Sequence, residues 1–528
     1  MPRKDYPPAA GHKVLCRGEA VPRPEGLSAF GGPQGFKEGK MGPYDSLRDY
    51  LTDLEKRGRF IRIKEMDQDK YEATAFVLRM MDRLRNRAPG FMIERVKQNG
   101  RWYDTKVVGN IYNGYDTLAM CLGVDPVTDD NSEMYYKCVE KIESFADAQM
   151  SWKKIEPKVV DKAKAPCKEV IIKGDKVDLF QFPWIKNGPE DAGAYISAGC
   201  FILEDPDIGR NVGTYRMQVK DKNKTGANFT MNSHAYQFML KASERGKESV
   251  PAAVAIGIDP ASWMMSSTRL AELGDDEFAL AGGFRGKPVE LVKCETCDIM
   301  VPAQAEFILE GEVPVDVEPE GPYGEMLGFL GLPGATFYLK VKAITHRKDP
   351  LLYNIWCGME RSTYTLPWDA ANFMRMKKVM PTIVKLYTPI ECPLITIVSI
   401  DKHLPGEGME AGAAVLGQRM IGFTKKIVII VDKDVDPFDL PQVMNALGTR
   451  WQPVPGTLLI PQMVSMPLDP SQKEKFLTSK VIIDATRQLP SEGGPESWVP
   501  TNRCLMDEKA GDAFKLVDSK WEEYFKKK

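Results

Sequence analysis

The pattern of apolar and polar positions changes character three times along the 528 residues. Residues 1–43 are rich in Gly, Pro, Lys and Arg and show no periodicity, so they read as an extended or disordered arm. Leu47, Tyr50, Leu51 and Leu54 then follow i, i+3, i+4, i+7 spacing and Gly58 lies just beyond, which predicts an amphipathic helix with a glycine stop. Phe60 to Ile63 alternates as a strand does, Glu72 to Leu84 has helical spacing, and Phe91–Val96 and Lys106–Asn110 read as strands. Residues 44–165 are therefore expected to form an N-terminal α/β part.

From Lys168 the texture becomes short strands and turns. Val170–Ile172, Ala194–Leu203, Val212–Lys220, Val250–Ile258 and Phe337–Thr345 read as strands, with Asp205-Pro206-Asp207, Asn223-Lys224-Thr225-Gly226 and Asp259-Pro260 as turns. Many strands with few long helices predict a barrel or sandwich over residues 166–350. From Leu351 helix and strand alternate again: helical Met374–Met380, strand Leu394–Ile400, helical Gly412–Phe423, a buried strand Ile427–Val431 and helical Leu440–Leu447. That alternation predicts a C-terminal α/β domain over residues 351–490, and the chain closes on a short charged helix or tail, Glu522–Lys528. No internal repeat is present.

Composition narrows the function classes. Lys+Arg 71 against Asp+Glu 73 leaves a net charge of -2, which argues against a nucleic-acid binder. The longest apolar run, Ile427–Val431, is too short to span a bilayer, and Met1–Lys13 lacks the apolar segment of a secretory signal. Ten scattered cysteines fit reduced thiols and a cytoplasmic location. Cys294 and Cys297 stand close together, but no second pair completes a zinc site, so buried thiols are the expected reading.

The segment Pro319-Glu320-Gly321-Pro322-Tyr323-Gly324-Glu325 carries the most distinctive chemistry. Pro322 and the two glycines rule out a regular helix, so the two carboxylates are held in a rigid loop. Acids held close split their pKa values, and one can then donate a proton while the other stays charged. Taken alone, the same segment also describes a solvated surface turn. A second cluster is Arg210 to Arg216, where strand geometry puts Asn211 and Arg216 on opposite faces and Gly213 permits close backbone approach. It reads equally as an exposed strand end. Of four histidines, His12 lies in the arm, His346 and His403 in surface-like settings, and His234 where a strand-like segment gives way to a helix. His234 is a candidate ligand or a satisfied polar residue, and Glu277 in a first helical turn answers the helix dipole.

Together these pieces resemble one family. Asn211-Val-Gly-Thr-Tyr-Arg216, His234, Glu277, the run from Phe284 to Thr296, Val301 to Gly311, and Glu320-Gly-Pro-Tyr-Gly-Glu325 fall in the order found in the UbiD-like decarboxylases, which use prenylated FMN. The resemblance covers roughly residues 45–490. It implies a split β-barrel, flavin-reductase-like cofactor domain and a C-terminal α/β oligomerisation domain, in a homodimer or homohexamer whose residues 491–528 contact a neighbouring subunit. It also implies Mn²⁺ or a similar divalent metal on Asn211, His234 and Glu277, and K⁺ near Ser266 and Ser267, although Val212 stands where some members carry Trp.

Cofactor contacts implied are Asn211, Gly213, Thr214, Tyr215, Arg216, Ser233, His234, Glu277 and Lys426. Arg216, Glu320 and Glu325 match the catalytic network, with Arg216 holding the substrate carboxylate, Glu320 its charged partner and Glu325 the proton donor. The activity implied is reversible decarboxylation of an aromatic or α,β-unsaturated acid, releasing or consuming CO₂, with a flavin prenyltransferase supplying the cofactor. Thr230, Met231, Met359, Tyr364, Leu366, Trp368, Pro405 and Met409 are candidate pocket walls and suggest a hydrophobic aromatic substrate; the apolar ones read equally as core. The alternatives are an accessory subunit of a multi-subunit carboxylase and a metal-dependent hydrolase using both acids.

Overall fold

Ser46 ends an extended segment, and its hydroxyl accepts the Asp49 amide at 3.2 Å, which starts the helix Leu47–Lys56 where the spacing predicts it. Its buried face is Leu47, Tyr50, Leu51 and Leu54. The structure, a computed structural model, describes residues 42–125, 131–149, 151–356 and 362–525, without the side chains of 362–364, 522 and 525. The expected arm lies outside the described residues except for Gly42 and Pro43.

The first sheet pairs Phe60–Asp67 parallel to Gly90–Gln98, which runs antiparallel to both Arg101–Tyr103 and Lys106–Gly109. Leu351–Tyr353, expected to open the C-terminal part, instead completes this sheet parallel to Lys106–Gly109. Pairing, not chain order, assigns that strand. The helices Tyr115–Leu122 and Asn131–Glu143 left little trace in the sequence. Every residue of the first except Asp116 is buried, so no one-sided apolar stripe marks it.

The central unit is a closed barrel of six antiparallel strands. Around the ring, Phe307–Pro314 pairs with Ser249–Ile256, then Tyr195–Asp205, Gly209–Asp221, Lys224–Ala227 and Gly334–His346, which pairs back to Phe307–Pro314. Phe201, Leu203, Met217, Val254, Phe307 and Leu339 share one core, and Cys200, Ile202, Val212, Ala253, Ala255 and Ile308 share another. Barrel strands covered on both faces explain the nearly continuous apolar run of Tyr195–Leu203.

The C-terminal sheet runs Ile383–Tyr387, Ile395–Ile400, Ile427–Asp432, Leu477–Asp484 and Thr457–Val464, with a parallel centre and antiparallel edges. The expected helix Gly412–Phe423 is two pieces, Glu407–Gly417 and Arg419–Gly422, because the Gln418 backbone is extended. The described residues close with the helices Asn502–Ser519, ahead of the short helix expected, and Trp521–Phe525; the first has no buried residue. Among the described residues no helix is long and apolar enough to cross a membrane.

Barrel closure has one tight point. The pairing of Phe307–Pro314 with Gly334–His346 shifts register between Glu310 and Gly311, and a Cβ on Gly311 would sit 1.9 Å from the Lys340 carbonyl oxygen. Gly311→Ala is therefore expected to destabilise the protein by about 1–3 kcal/mol, read as a lower denaturation midpoint. A wild-type midpoint would show that the seam yields freely.

Candidate active site

A cavity of about 520 Å³ lies between the barrel wall and the C-terminal sheet, within the roughly 300–1,000 Å³ range of small-ligand and cofactor pockets. The strand Gly209–Asp221 supplies Asn211, Gly213, Thr214, Tyr215 and Arg216 to its lining. Alternation alone puts Asn211 and Arg216 on opposite faces. The neighbouring strand, however, pairs Ile196 with Met217 and Gly199 with Tyr215, so two of its residues oppose Arg216 alone. Such a bulge sharpens the local twist, and Asn211 and Arg216 both line the cavity.

Arg216 is the centre of one end. Its Nε and Nη2 donate to the two oxygens of Glu320 at 3.1 and 2.9 Å, and its Nη1 donates to Glu325 Oε1. Its guanidinium lies 5.0 Å from the Tyr323 ring centroid. Glu320 is 4% exposed and also accepts from Asn228 Nδ2 at 3.2 Å. The loop between the acids is fixed from outside. Asp191 accepts the Gly188 and Gly324 amides at 2.8 Å each, and the Ala192 amide donates to the Pro322 carbonyl at 2.8 Å. Asp191 and Asn228 carried no signal in the sequence, because each acts only through contacts distant along the chain. The surface-turn reading of this loop does not hold.

One guanidinium serves two carboxylates here. Burial pushes the Glu325 carboxyl up, and the neighbouring charge of Glu320 adds to it, against the opposing pull of Arg216. The Arg216 guanidinium is held above its ordinary range by its hydrogen bond to Glu320 and the charge of Glu325, which outweigh its burial.

The other end collects Asn211, His234 and Glu277. His234 opens the helix His234–Glu244, whose N-cap Ser233 accepts the Tyr236 amide at 3.2 Å and itself lines the cavity. Glu277 opens the helix Glu277–Arg285 under an Asp276 cap, and its Oε2 accepts the Val212 amide at 2.7 Å. Burial pushes the Glu277 carboxyl well up; burial and then the Arg269 charge push the His234 imidazole down. A neutral imidazole and a carboxylate that lacks a counter-charge are what a divalent cation would relieve. Asn211 is buried, and its Nδ2 has no hydrogen-bond partner. Among the described residues no group of three His, Cys, Asp or Glu side chains could hold a metal. An amide oxygen, an imidazole and a carboxylate on one lining are the donor types that a borderline-hard ion takes. Ser266 and Ser267 line the cavity and both donate to the Trp263 carbonyl at 2.9 Å; Ser266 Oγ also lies 3.0 Å from Thr214 Oγ1.

Lys426 does not line this cavity. Its ammonium donates to Asp469 at 2.8 Å and Ser471 at 2.6 Å and borders a separate depression. Of the expected walls, Thr230 and Trp368 line the cavity. Leu366 does not: Thr365 and Trp368, three apart on the helix Ser362–Val379, face the cavity while Leu366 is fully buried in the core. Met409 packs against the core of the C-terminal sheet, and Met231 and Pro405 are exposed. Met359 and the Tyr364 side chain lie outside the described residues. No local signal marks Arg269, whose guanidinium enters the lining among aromatic rings.

Family models for the 3-octaprenyl-4-hydroxybenzoate carboxy-lyase match in three blocks: the N-terminal domain over residues 51–132, the Rift-related domain over 158–360 and the C-terminal domain over 366–485. A phenolic acid decarboxylase of Sedimentibacter hydroxybenzoicus is 31% identical over 472 residues, covering 86% of this chain and 93% of that protein. The vanillic acid decarboxylase structure from the same organism, in closed form, superposes with a TM-score of 0.78 at 30% identity over 90% of this chain and 100% of that one. An evolved dimeric form of the UbiD-class enzyme HmfF from Pelotomaculum thermopropionicum, in complex with prFMN, gives 0.70 at 27% identity over 89% of this chain and 100% of that one.

The Arg216–Glu320 pair should matter to stability as well as chemistry. Arg216→Met strands the buried Glu320 carboxylate and is expected to cost about 3 kcal/mol. Adding Glu320→Gln should recover part of that loss in chemical denaturation. Equal stability of Arg216→Met and wild type would show that Glu320 needs no counter-charge.

Proposed function

The chain belongs to the UbiD family and is a carboxy-lyase, and we propose that it is a prenylated-FMN-dependent decarboxylase of a hydrophobic aromatic acid, able to run as a carboxylase when CO₂ is plentiful. The carrying observation is the single guanidinium of Arg216 shared by a buried glutamate and a cavity-facing one. The three residues that an accessory subunit could lack are all in place, which leaves that alternative without support.

Arg216 has five N–H donors, of which three are engaged by the two glutamates. Once Glu325 gives way, three donors are free, and two of them can meet a substrate carboxylate bidentately. Glu325 occupies one edge of the guanidinium, so an arriving carboxylate displaces it, and a displaced Glu325 in a buried site takes up a proton. Glu320 keeps its bidentate hold and stays the charged partner that orients Arg216. As the carbon–carboxylate bond breaks, its electron pair stays on the substrate carbon, CO₂ leaves, and Glu325 delivers the proton to that carbon. A flavin, when bound here, would supply the electron sink for this otherwise unstable carbanion character. The protein's part is placement, a neutral acid and exclusion of water.

In this reading Asn211, His234 and Glu277 hold Mn²⁺ or a similar ion beside the cofactor phosphate, and K⁺ sits near Ser266 and Ser267. Gly213, Thr214, Tyr215 and Ser233 form the cofactor-facing wall. Thr230, Ile355, Trp356 and Met420, all in the lining, favour an aromatic ring with little polar decoration. The cofactor comes from a flavin prenyltransferase. Assembly into a homodimer or homohexamer, with or without additional carboxylase subunits, is supported by uncovered apolar side chains: Leu459 on the edge strand is 70% exposed and Leu516 on the tail helix 54%. The tail would then pack on a neighbouring subunit. Free thiols at Cys121, Cys138, Cys167 and Cys200 suit a cytoplasmic setting.

Anaerobic co-expression with a flavin prenyltransferase should give a protein with a flavin absorbance spectrum that releases CO₂ from aromatic acids or exchanges labelled bicarbonate into them. Full activity without flavin would sink the assignment. Glu325→Gln should lower turnover by about 10²–10⁴-fold with the flavin still bound. The protonated acid is the active form, so wild-type kcat/KM should fall as pH rises through a Glu325 pKa above the ordinary carboxylate range. A profile flat through that range would remove Glu325 as the donor. His234→Ala should lose both metal and flavin, measured by metal analysis and absorbance; retention of both would remove it from the ligand set.

A further inference from the structure

Arg269 follows the helix Pro260–Ser267 and lines the cavity. Its guanidinium lies 5.4 Å from the Trp368 ring centroid and 5.9 Å from that of Phe423. Arg210, Arg216, Arg245 and Arg450 all meet carboxylates. Arg269 meets none among the described residues. A desolvated cation without a counter-ion is costly, and rings alone do not replace an anion. Its neighbours are unsatisfied too. The hydroxyl of Thr268, next along the chain, and the indole N–H of Trp368, beneath the guanidinium, are buried without hydrogen-bond partners, and both residues line the cavity. Three polar groups on one wall thus lack an acceptor among the described residues.

The position of that wall says which anion completes it. Arg269 lies two residues after Ser267, and Ser266 Oγ lies 3.0 Å from Thr214 Oγ1 on the strand that carries Asn211, so the wall adjoins the part of the cavity lined by Asn211. Arg216 with its two glutamates forms the other end and already offers a carboxylate its place. An anion between an imidazole-bearing cation site and a guanidinium needs more than one charge and several acceptor oxygens, as a phosphate monoester has. Lys426, the other cation that could serve, is held by Asp469 and Ser471 away from the cavity.

We propose that Arg269, with Thr268 and Trp368, is the anchor for the phosphate of a flavin mononucleotide in this protein. This rests on the flavin reading of the site, and the test separates the two. The full-length chain, with Mn²⁺ present, is titrated with FMN and with riboflavin by flavin fluorescence quenching. Wild type should prefer FMN by about a hundredfold or more. Arg269→Met should reduce that preference about tenfold or more, as expected for losing a charge-assisted hydrogen-bonded pair, with riboflavin affinity unchanged as the check that the fold survives. Arg269→Lys should fall between, and Lys426→Met should keep the wild-type preference. An Arg269→Met protein with the wild-type FMN preference overturns the anchor and leaves the flavin reading standing, as does a wild type that binds both flavins alike. Loss of affinity for terephthalate but not for FMN in Arg269→Met would assign the residue to a second substrate carboxylate, and also overturns it. A wild type that binds neither flavin removes the flavin reading and the anchor together.

Discussion

One guanidinium between two carboxylates sets the terms for the rest of this molecule. Arg216 can neutralise one of Glu320 and Glu325 fully, and the geometry decides which. Glu320 takes two hydrogen bonds from the fork and a third from Asn228, and it is almost fully buried. Glu325 takes the remaining edge and faces the cavity. The arrangement leaves one acid whose charge is costly, and that acid stands where a ligand can reach it.

Holding such an arrangement needs a stiff frame, because a shift of a fraction of an ångström would reassign the hydrogen bonds. The closed barrel provides it. Its strands Tyr195–Asp205, Ser249–Ile256 and Phe307–Pro314 are covered on both faces, so neither side of them can relax into water. The acid loop is not part of the ring, yet Asp191 ties the Gly324 amide to the Gly188 turn, and Glu320 pairs across to Gly334 on a barrel strand. The helix starts at His234 and Glu277 are set by Ser233 and Asp276 caps, which fix where those two side chains leave the backbone. The cavity is therefore polar and preset at its barrel wall, with aromatic and apolar side chains closing it from Ser362–Val379 and the C-terminal sheet.

How far the chain could be read in advance depended on whether a signal was local. Glu72–Leu84 and Ile427–Asp432 were plain because periodicity and composition agree within each segment. Tyr115–Leu122 was not, since burial on all sides erases the stripe that marks a surface helix. The same limit separates Trp368 from Leu366. Both are bulky, apolar residues on one helix, and only the direction of its cavity-facing side tells lining from core.

The sequence by itself brought forward a candidate set, Asn211, Arg216, His234, Glu277, Glu320 and Glu325 in order, and the two prolines and two glycines around Tyr323 exclude a helix for the acid loop. It also determined the succession of α/β, barrel and α/β texture. Only the tertiary structure decided that the two glutamates differ, that Leu351–Tyr353 returns to the first sheet, that Lys426 is spent on Asp469, and that Arg269 stands beside Trp368 without a counter-ion among the described residues. The physical reason is common to all four. Burial, charge pairing and strand partnership are properties of groups brought together from distant parts of the chain, and no window along the sequence contains both members of such a pair.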